Sequence, residues 1–222
     1  MAKVVKKLLN KKILVTAGPT WVPIDKVRVI TNVFGGTLGS LIAREASKEG
    51  ARVTLLFGPG KAALPLKSKN IEIIRYKYYD DLLNLIKKEV KTKNYEIIIH
   101  SSAVADYAPI PSKEGKIKSG KKTLTIKLRP TLKIVDLIKK IKPKIFLVKF
   151  KLEVGLPKNK LLDIAYRSML SSKADIIVAN EYSTIQKNHR AYIIDKNKDV
   201  IEYTGKEKIA KGLISKIANS VK

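Results

Sequence analysis

Short, uninterrupted apolar runs alternate along this chain with segments of helical periodicity, and that alternation leaves few folds open. Lys12–Ala17 (KILVTA) is one such run and stops at Gly18-Pro19; its length and turn boundary read as a buried strand. Leu38–Glu49 (LGSLIAREASKE) sets Leu38, Leu41, Ile42 and Ala46 at helical spacing and ends on Gly50, a helix-stop residue. Arg52–Phe57 (RVTLLF) is the next strand, closed by Gly58-Pro59-Gly60. Strand, helix, strand in succession makes a βαβ unit with parallel strands. The pattern continues with strands at Ile71–Tyr76, Tyr95–Ser101, Ile145–Phe150 and Asp175–Ala179, and with helices at Asp80–Val90, Leu132–Ile141 and Lys160–Leu170. Strands that are apolar along their whole length belong in a sheet covered on both faces. The expected fold is α/β, a doubly wound, Rossmann-like, mostly parallel sheet, in a single domain over residues 1–222.

Two stretches interrupt the alternation. Lys116–Leu128 (KIKSGKKTLTIKL) has period two around Ser119-Gly120, which predicts an inserted β-hairpin flap over about 113–129. Ala191–Asp195 and Val200–Tyr203 predict a second hairpin, followed by an amphipathic helix over Lys206–Ile217.

Composition narrows the chemistry. The chain of 222 residues has no cysteine, which removes disulfides, thiolate metal sites and thiol nucleophiles. No apolar run is long enough to span a bilayer, and the basic start, Met1 to Lys12, lacks the apolar core of a signal peptide. A cytoplasmic location is the expectation. The 46 basic against 19 acidic residues give a net charge of +27. The lysines are scattered and not interleaved with aromatics, unlike a nucleic-acid platform. Nonspecific, salt-sensitive attraction to polyanions is expected, with nucleic acid not the physiological ligand.

In open parallel sheets ligands bind beyond the carboxyl ends of the strands, so those loops carry the candidate residues. After the first strand come Gly18, Asp25, Arg28 and Asn32, then Gly35-Gly36-Thr37-Leu38-Gly39 at a helix start. Glycines there let backbone N–H groups approach a phosphate, and the helix dipole favours its charge. The same spacing also suits tight helix–sheet packing. No Lys-Ser/Thr pair follows, so this is not a P-loop. The later loop Ser102–Tyr107 offers small residues and then Asp106, which suits a flat ring or ribose lying against backbone, or a capped turn before Pro109. Lys116 starts the flap, where a lysine can close over a phosphate or stand solvated on an edge strand. Trp21 is a candidate pocket wall. His100 and His189 have no Cys or acidic cluster beside them, so no protein metal site is expected.

Read together, these loops resemble the phosphopantothenoylcysteine synthetase family. TAGPTWVPIDKVRVITN (Thr16–Asn32) is similar to its signature TAG-(G/P)-T-x-x-P-(I/L)-D-P-V-R-x-I-(S/T)-N. AVADY (Ala103–Tyr107), KIK (Lys116–Lys118) with TLTIKL after it, VKF-x-x-E (Val148–Glu153) and ADIIVAN (Ala174–Asn180) resemble further family segments in the right order. The resemblance implies a ligase of coenzyme A biosynthesis that joins 4′-phosphopantothenate to cysteine through an acyl-nucleotidylate made from CTP or ATP, with Mg2+ accompanying the triphosphate. It implies a homodimer with the flap near the partner subunit, and small-molecule substrates only. By the same resemblance Asn32 and Lys116 are catalytic. Gly18, His100, Ser101, Ser102, Asp106, Leu132, Lys133, Ile134, Val135 and Phe150 contact nucleotide, and Arg28, Gly36 and Gly39 contact the other substrate.

Departures cluster on the phosphate side. The family's S-S-G-K-M-G reads Phe34-Gly35-Gly36-Thr37-Leu38-Gly39, which loses two serines and a lysine. Two family lysines that hold the triphosphate fall at Ser168 and Ser172, with Arg167 and Lys173 one residue away as candidate substitutes. The family's P-D before I-V reads Leu132-Lys133, and its G-F-x-S-D has no match around 185–188. The flavin-dependent decarboxylase half to which such domains are usually fused has no counterpart in these 222 residues. A paralogue that binds nucleotide or pantothenate derivatives without turnover is the alternative, ahead of a nucleic-acid-binding protein.

Overall fold

A computed structural model describes residues 6–62, 68–110, 115–185 and 187–221. In chain order the elements are β1 (Lys12–Ala17), β2 (Trp21–Pro23), β3 (Val29–Thr31), α1 (Thr37–Lys48), β4 (Arg52–Phe57), β5 (Ile71–Arg75), α2 (Tyr79–Thr92) and β6 (Ile97–His100). There follow β7 (Tyr107–Pro109), β8 (Leu128–Pro130), α3 (Ile134–Ile141), β9 (Phe146–Glu153), α4 (Lys158–Ser171), β10 (Ile176–Glu181), α5 (Tyr182–Ile185), β11 (Arg190–Asp195), β12 (Val200–Thr204) and α6 (Lys206–Ser220).

Eight strands form the central sheet in the order β12-β11-β10-β9-β6-β1-β4-β5. The six from β10 to β5 are parallel, and β11 and β12 extend the sheet antiparallel. Taken in chain order, the parallel strands run 3-2-1-4-5-6, the doubly wound arrangement. The side on which successive strands are added switches between β1 and β6, so the crevice opens beyond Ala17 and His100.

Alternate side chains of each strand serve opposite faces. Ile13, Val15, Leu55, Ile99, Val148 and Val178 pack under α1 and α6 with Ile42, Ala46, Leu213 and Ile217. Leu14, Leu56, Ile98, Leu147 and Ile177 pack on the other face under α2, α3 and α4 with Leu82, Ile86, Ile138, Leu161 and Met169. Both faces are covered, which is why the inner strands read as continuous apolar runs. The second expected hairpin forms as β11–β12, with Ile193 opposite Ile201.

The inserted flap differs from the expectation. Residues 113–114 lie outside the described residues, and Gly115–Lys127 contains no strand. The pairing that exists is at the base of the excursion, where β7 and β8 run antiparallel and Ile110 N–H donates to Lys127 O at 2.9 Å. Among the described residues Thr123–Lys127 forms no strand, and Leu124 and Leu128 stay exposed. A two-stranded hairpin without a packing partner is marginal in water, so period two alone does not make it. The loop after β1 holds a small hairpin, β2–β3, too short to show periodicity. Helix α3 starts two residues later than its apolar spacing predicts, with Lys133 at its N-cap and Leu132 exposed.

Candidate active site

A cavity of about 500 Å³ opens at the carboxyl ends of β1, β6, β9 and β10. Its floor is made by packing that tolerates no extra atom. Gly36 caps α1 with φ +83°, and a Cβ there would stand 2.8 Å from Gly18 N. A Cβ on Gly39 would stand 2.5 Å from both Ala17 Cβ and Ser101 Oγ. The first turn of α1 is therefore pressed against the ends of β1 and β6. Its amides at Thr37, Leu38 and Gly39, which have no partner inside the helix, lie at the cavity wall.

The loops after β1 and β6 are knitted together. Ala103 N–H donates to Gly18 O at 3.0 Å, and Thr20 N–H to Ala103 O at 3.3 Å. Fully buried Thr20 accepts Ala105 N–H on Oγ1 at 3.0 Å. Tyr76 Oη, from the end of β5, sits 2.9 Å from Ala17 O, 3.1 Å from Gly18 O and 2.8 Å from Ser102 Oγ. Burial pushes the Tyr76 phenol well above its ordinary value, so it remains a neutral structural donor.

Asn32 joins the same network. Its Nδ2 donates to Ala103 O at 2.9 Å and Val104 O at 3.3 Å. In this arrangement the amide N–H groups hold the Ala103 turn in place, and Oδ1 is the atom left to a ligand.

His100, at the tip of β6, is buried beside Thr16 with Nδ1 2.9 Å from Thr16 Oγ1. Thr16 Oγ1 also accepts Ser102 N–H at 3.2 Å. The relay that satisfies both groups runs Ser102 N–H to Thr16 Oγ1 and Thr16 O–H to His100 Nδ1, leaving the ring hydrogen on Nε2. Burial first, then the Lys149 charge, push His100 down to about 4, so it is neutral at pH 7. His189 is likewise pushed down to about 4 by burial and Lys206, and its Nε2 lies 2.8 Å from Asn180 Oδ1.

Of the residues expected at the site, Gly18, Asn32, Gly36, Gly39, His100, Ser101, Ser102, Asp106, Leu132, Lys133, Ile134, Val135 and Phe150 all line the cavity. Arg28 and Lys116 do not. Asp25 Oδ2 accepts Ile117 N–H at 3.1 Å and Arg28 Nη2 donates to Ile117 O at 2.7 Å, so the pair grips the flap backbone on both sides. The N–H groups of Val27, Ile117 and Arg28 hold the Asp25 carboxyl below the usual carboxylate range. Lys116, next to this grip, is exposed. Trp21 is no wall of the cavity: it packs edge-on against Tyr78 at 6.5 Å, with Lys77 over its ring at 4.9 Å.

Sequence reasoning missed Lys149. Arg167 pairs with Asp163 on the open side of α4, and Lys173 is an exposed residue with φ +55°. Neither reaches the cavity. Lys149, on β9 opposite His100, crosses to α4 and lines it instead. Its Nζ lies 3.0 Å from Ser168 Oγ, 3.0 Å from Ser172 Oγ and 3.1 Å from Ser168 O. The only signal in the sequence was a lysine inside an otherwise apolar strand, Phe146–Phe150.

Charge settles what the cavity attracts. Among the described residues its lining carries Lys133, Lys149, Lys151 and Lys206, against the single carboxylate Asp106. No cluster of three or more potential metal ligands exists among the described residues. The space suits a large anion, and one carboxylate does not make a resident cation cage.

The sequence matches the family described as the DNA/pantothenate metabolism flavoprotein C-terminal domain over residues 8–221. The chain belongs to this family. It is 38% identical over 175 residues to the coenzyme A biosynthesis bifunctional protein CoaBC of Thermococcus kodakarensis, covering 79% of this chain and 42% of that protein. The chain thus spans less than half the length of that relative. Among solved structures it is similar to the DNA/pantothenate metabolism flavoprotein of Streptococcus pneumoniae, at 34% identity and TM-score 0.86, covering 95% of this chain and 99% of that one. The C-terminal domain of a CoaBC protein matches at 28% identity and TM-score 0.78, covering 97% and 98%. The family resemblance read from the sequence therefore holds, as does the doubly wound fold. No helix among the described residues is long and apolar enough to cross a membrane.

Proposed function

We propose that this domain is a phosphopantothenate–cysteine ligase that uses CTP or ATP. The observation that carries the reading is a large cavity at the switch point of the sheet, walled on one side by the amides of α1 and on the other by lysines, with one carboxylate in its lining. Two of the three substrates, phosphopantothenate and the nucleotide, are phosphorylated, and the reaction concentrates negative charge.

In this reading the phosphopantothenate carboxylate attacks the α-phosphorus of the nucleotide and pyrophosphate leaves. The cysteine amine then attacks the acyl carbon, and the nucleoside monophosphate leaves with the electron pair of the broken C–O bond. No protein nucleophile is needed, so the work is positioning and charge stabilisation. Thr37–Gly39 amides hold the 4′-phosphate. Asn32 keeps the Ala103 turn at the reacting carboxylate, and its Oδ1 is placed to accept from the attacking amine. His100 to Ser102, Asp106, Leu132 to Val135 and Phe150 form the nucleotide side. Magnesium arrives with the triphosphate as part of the substrate, in keeping with the sparse carboxylates.

Lys116 stands outside the cavity, and its role follows from the grip on Ile117. Closure of that segment, or its reach into a second copy of the chain in a homodimer, brings the ammonium over the triphosphate. Exposed Leu124 and Leu128 supply an apolar face for such packing.

The test is pyrophosphate release by the purified chain with CTP, ATP, GTP or UTP. Release that requires both phosphopantothenate and cysteine, and that is abolished in Asn32→Asp and Lys116→Gln, is expected. Saturable nucleotide binding with no release under any nucleotide would instead identify a binding paralogue.

A further inference from the structure

Lys149 is a half-buried ammonium at the cavity wall, with no carboxylate to pair with among the described residues. Three neutral oxygens, from Ser168 and Ser172 alone, hold it. No acidic group among the described residues lies within ion-pairing distance of it. Partly buried cations are ordinarily compensated by a counter-charge, because desolvation of an isolated ammonium is costly. Here desolvation does push the Lys149 ammonium below its usual range, with Lys133 and Lys151 adding to the push and Asp136 opposing it. The missing counter-charge is on the cavity side, where Lys149, Ser168, Lys133 and Lys151 all face the same space.

We infer that Lys149, seated on Ser168 and Ser172, is the principal anchor of a polyphosphate subsite, the place where the nucleotide's triphosphate is held. Ser172 donates its own hydroxyl back to Ser168 O at 2.9 Å, so its lone pair is what Lys149 uses. Ser168 Oγ accepts from Lys149 and has its hydrogen to give to a ligand oxygen. An incoming phosphate oxygen displaces one neutral acceptor of the ammonium, and a charge-assisted bond is about twice as strong as a neutral one. Neutral His100 alongside adds no competing charge and presents its Nε2–H as a further donor. The serines on α4 are uncharged and offer an anion only hydroxyl donors. The strand supplies that charge, and the helix positions it.

This inference deepens the ligase reading by naming what holds the nucleotide, yet its test does not need turnover. Inorganic triphosphate binding is measured by calorimetry at 0.3 M KCl, a concentration on the order that suppresses nonspecific attraction to a +27 chain. Lys149→Met is expected to weaken binding by roughly 10- to 100-fold, the range of a lost bond to a charged group. Lys211→Met, on the exposed side of α6, leaves it unchanged. The double variant K149M/S168K returns an ammonium to the same point from the helix and is expected to restore most of the affinity. Equal loss in Lys149→Met and Lys211→Met, or a stable Lys149→Met protein that binds triphosphate as the wild type does, would overturn the inference. Should the wild type bind triphosphate through Lys149 but release no pyrophosphate with any nucleotide, the ligase reading falls and the subsite stands.

Discussion

Adding one methyl group at Gly39 tests how the α1 amides are placed. In an ordinary helix, replacing glycine by alanine gains about 0.5–1 kcal/mol from backbone entropy. Gly39 lies in the first turn of α1, where the new Cβ would meet Ala17 Cβ and Ser101 Oγ at 2.5 Å each. Neither neighbour yields easily. Ala17 Cβ is fixed to the buried end of β1, and Ser101 Oγ donates to Thr16 O at 2.6 Å, a bond that rotation would break. Relief needs a shift of about 1 Å, since apolar carbons rest at about 3.5–4 Å. Overpacking of this kind costs about 1–3 kcal/mol. The net expectation for Gly39→Ala is a loss of about 1–2 kcal/mol, the reverse of the usual sign. Equilibrium urea unfolding reads it directly, and Tm should fall by roughly 2–8 °C. If the proposed ligase reading holds, the same shift displaces the amides of Thr37 to Gly39 from the 4′-phosphate, and phosphopantothenate affinity should drop at least about tenfold. A variant as stable as the wild type, or more stable, would refute the packing argument. Normal stability with lost affinity would leave the amides as the ligand site but not the contact as its support.

Other perturbations read other parts of the molecule. Asp25→Ala removes the acceptor for Ile117 N–H, and trypsin should then cut at Lys116 and Lys118 several-fold faster at neutral pH with Tm little changed. In the wild type this grip is present above the ordinary carboxylate range and is lost as pH falls through the depressed Asp25 value. His100 and His189 are neutral in the fold and pushed down to about 4, whereas an unfolded histidine takes a proton near 6.5. The unfolded state therefore binds more protons between those values, and stability is full above about pH 6.5 and declines toward pH 4. Each histidine accounts for up to about 3 kcal/mol of that decline. His100→Gln should flatten the pH-dependence of the urea midpoint, and an unchanged slope would count against the burial argument. Tyr76→Phe strips the hydroxyl from Ala17 O, Gly18 O and Ser102 Oγ and should cost about 1–3 kcal/mol, read by thermal unfolding.

How much could be read in advance differs by element. KILVTA and RVTLLF were legible to the residue as β1 and β4, because a strand buried on both faces has no choice but to be apolar throughout. The flap was not legible. TLTIKL alternates as a strand should, yet Thr123–Lys127 forms no strand, and the pairing moved to Tyr107–Pro109 with Leu128–Pro130. Arg28 illustrates the same limit at the site. The family resemblance made it a substrate contact, but it lies outside the cavity lining and its guanidinium donates to the carbonyl of Ile117.

The sequence by itself determined the parallel sheet, the crevice at its carboxyl edge, the family and most of the cavity's lining. Those follow from local patterns: hydrophobic period, turn residues, and motifs whose members lie close along the chain. Only the tertiary structure decided which positive charge meets Ser168 and Ser172. Ser168 and Ser172 looked like the loss of two cations, and Arg167 and Lys173 like their replacements. Strand order places β9 beside β6 and under α4, so Lys149, nearly twenty residues earlier in the chain, fills that position with its ammonium. A side chain's address in space is set by sheet register and helix packing. Neither is written in the residues that flank it.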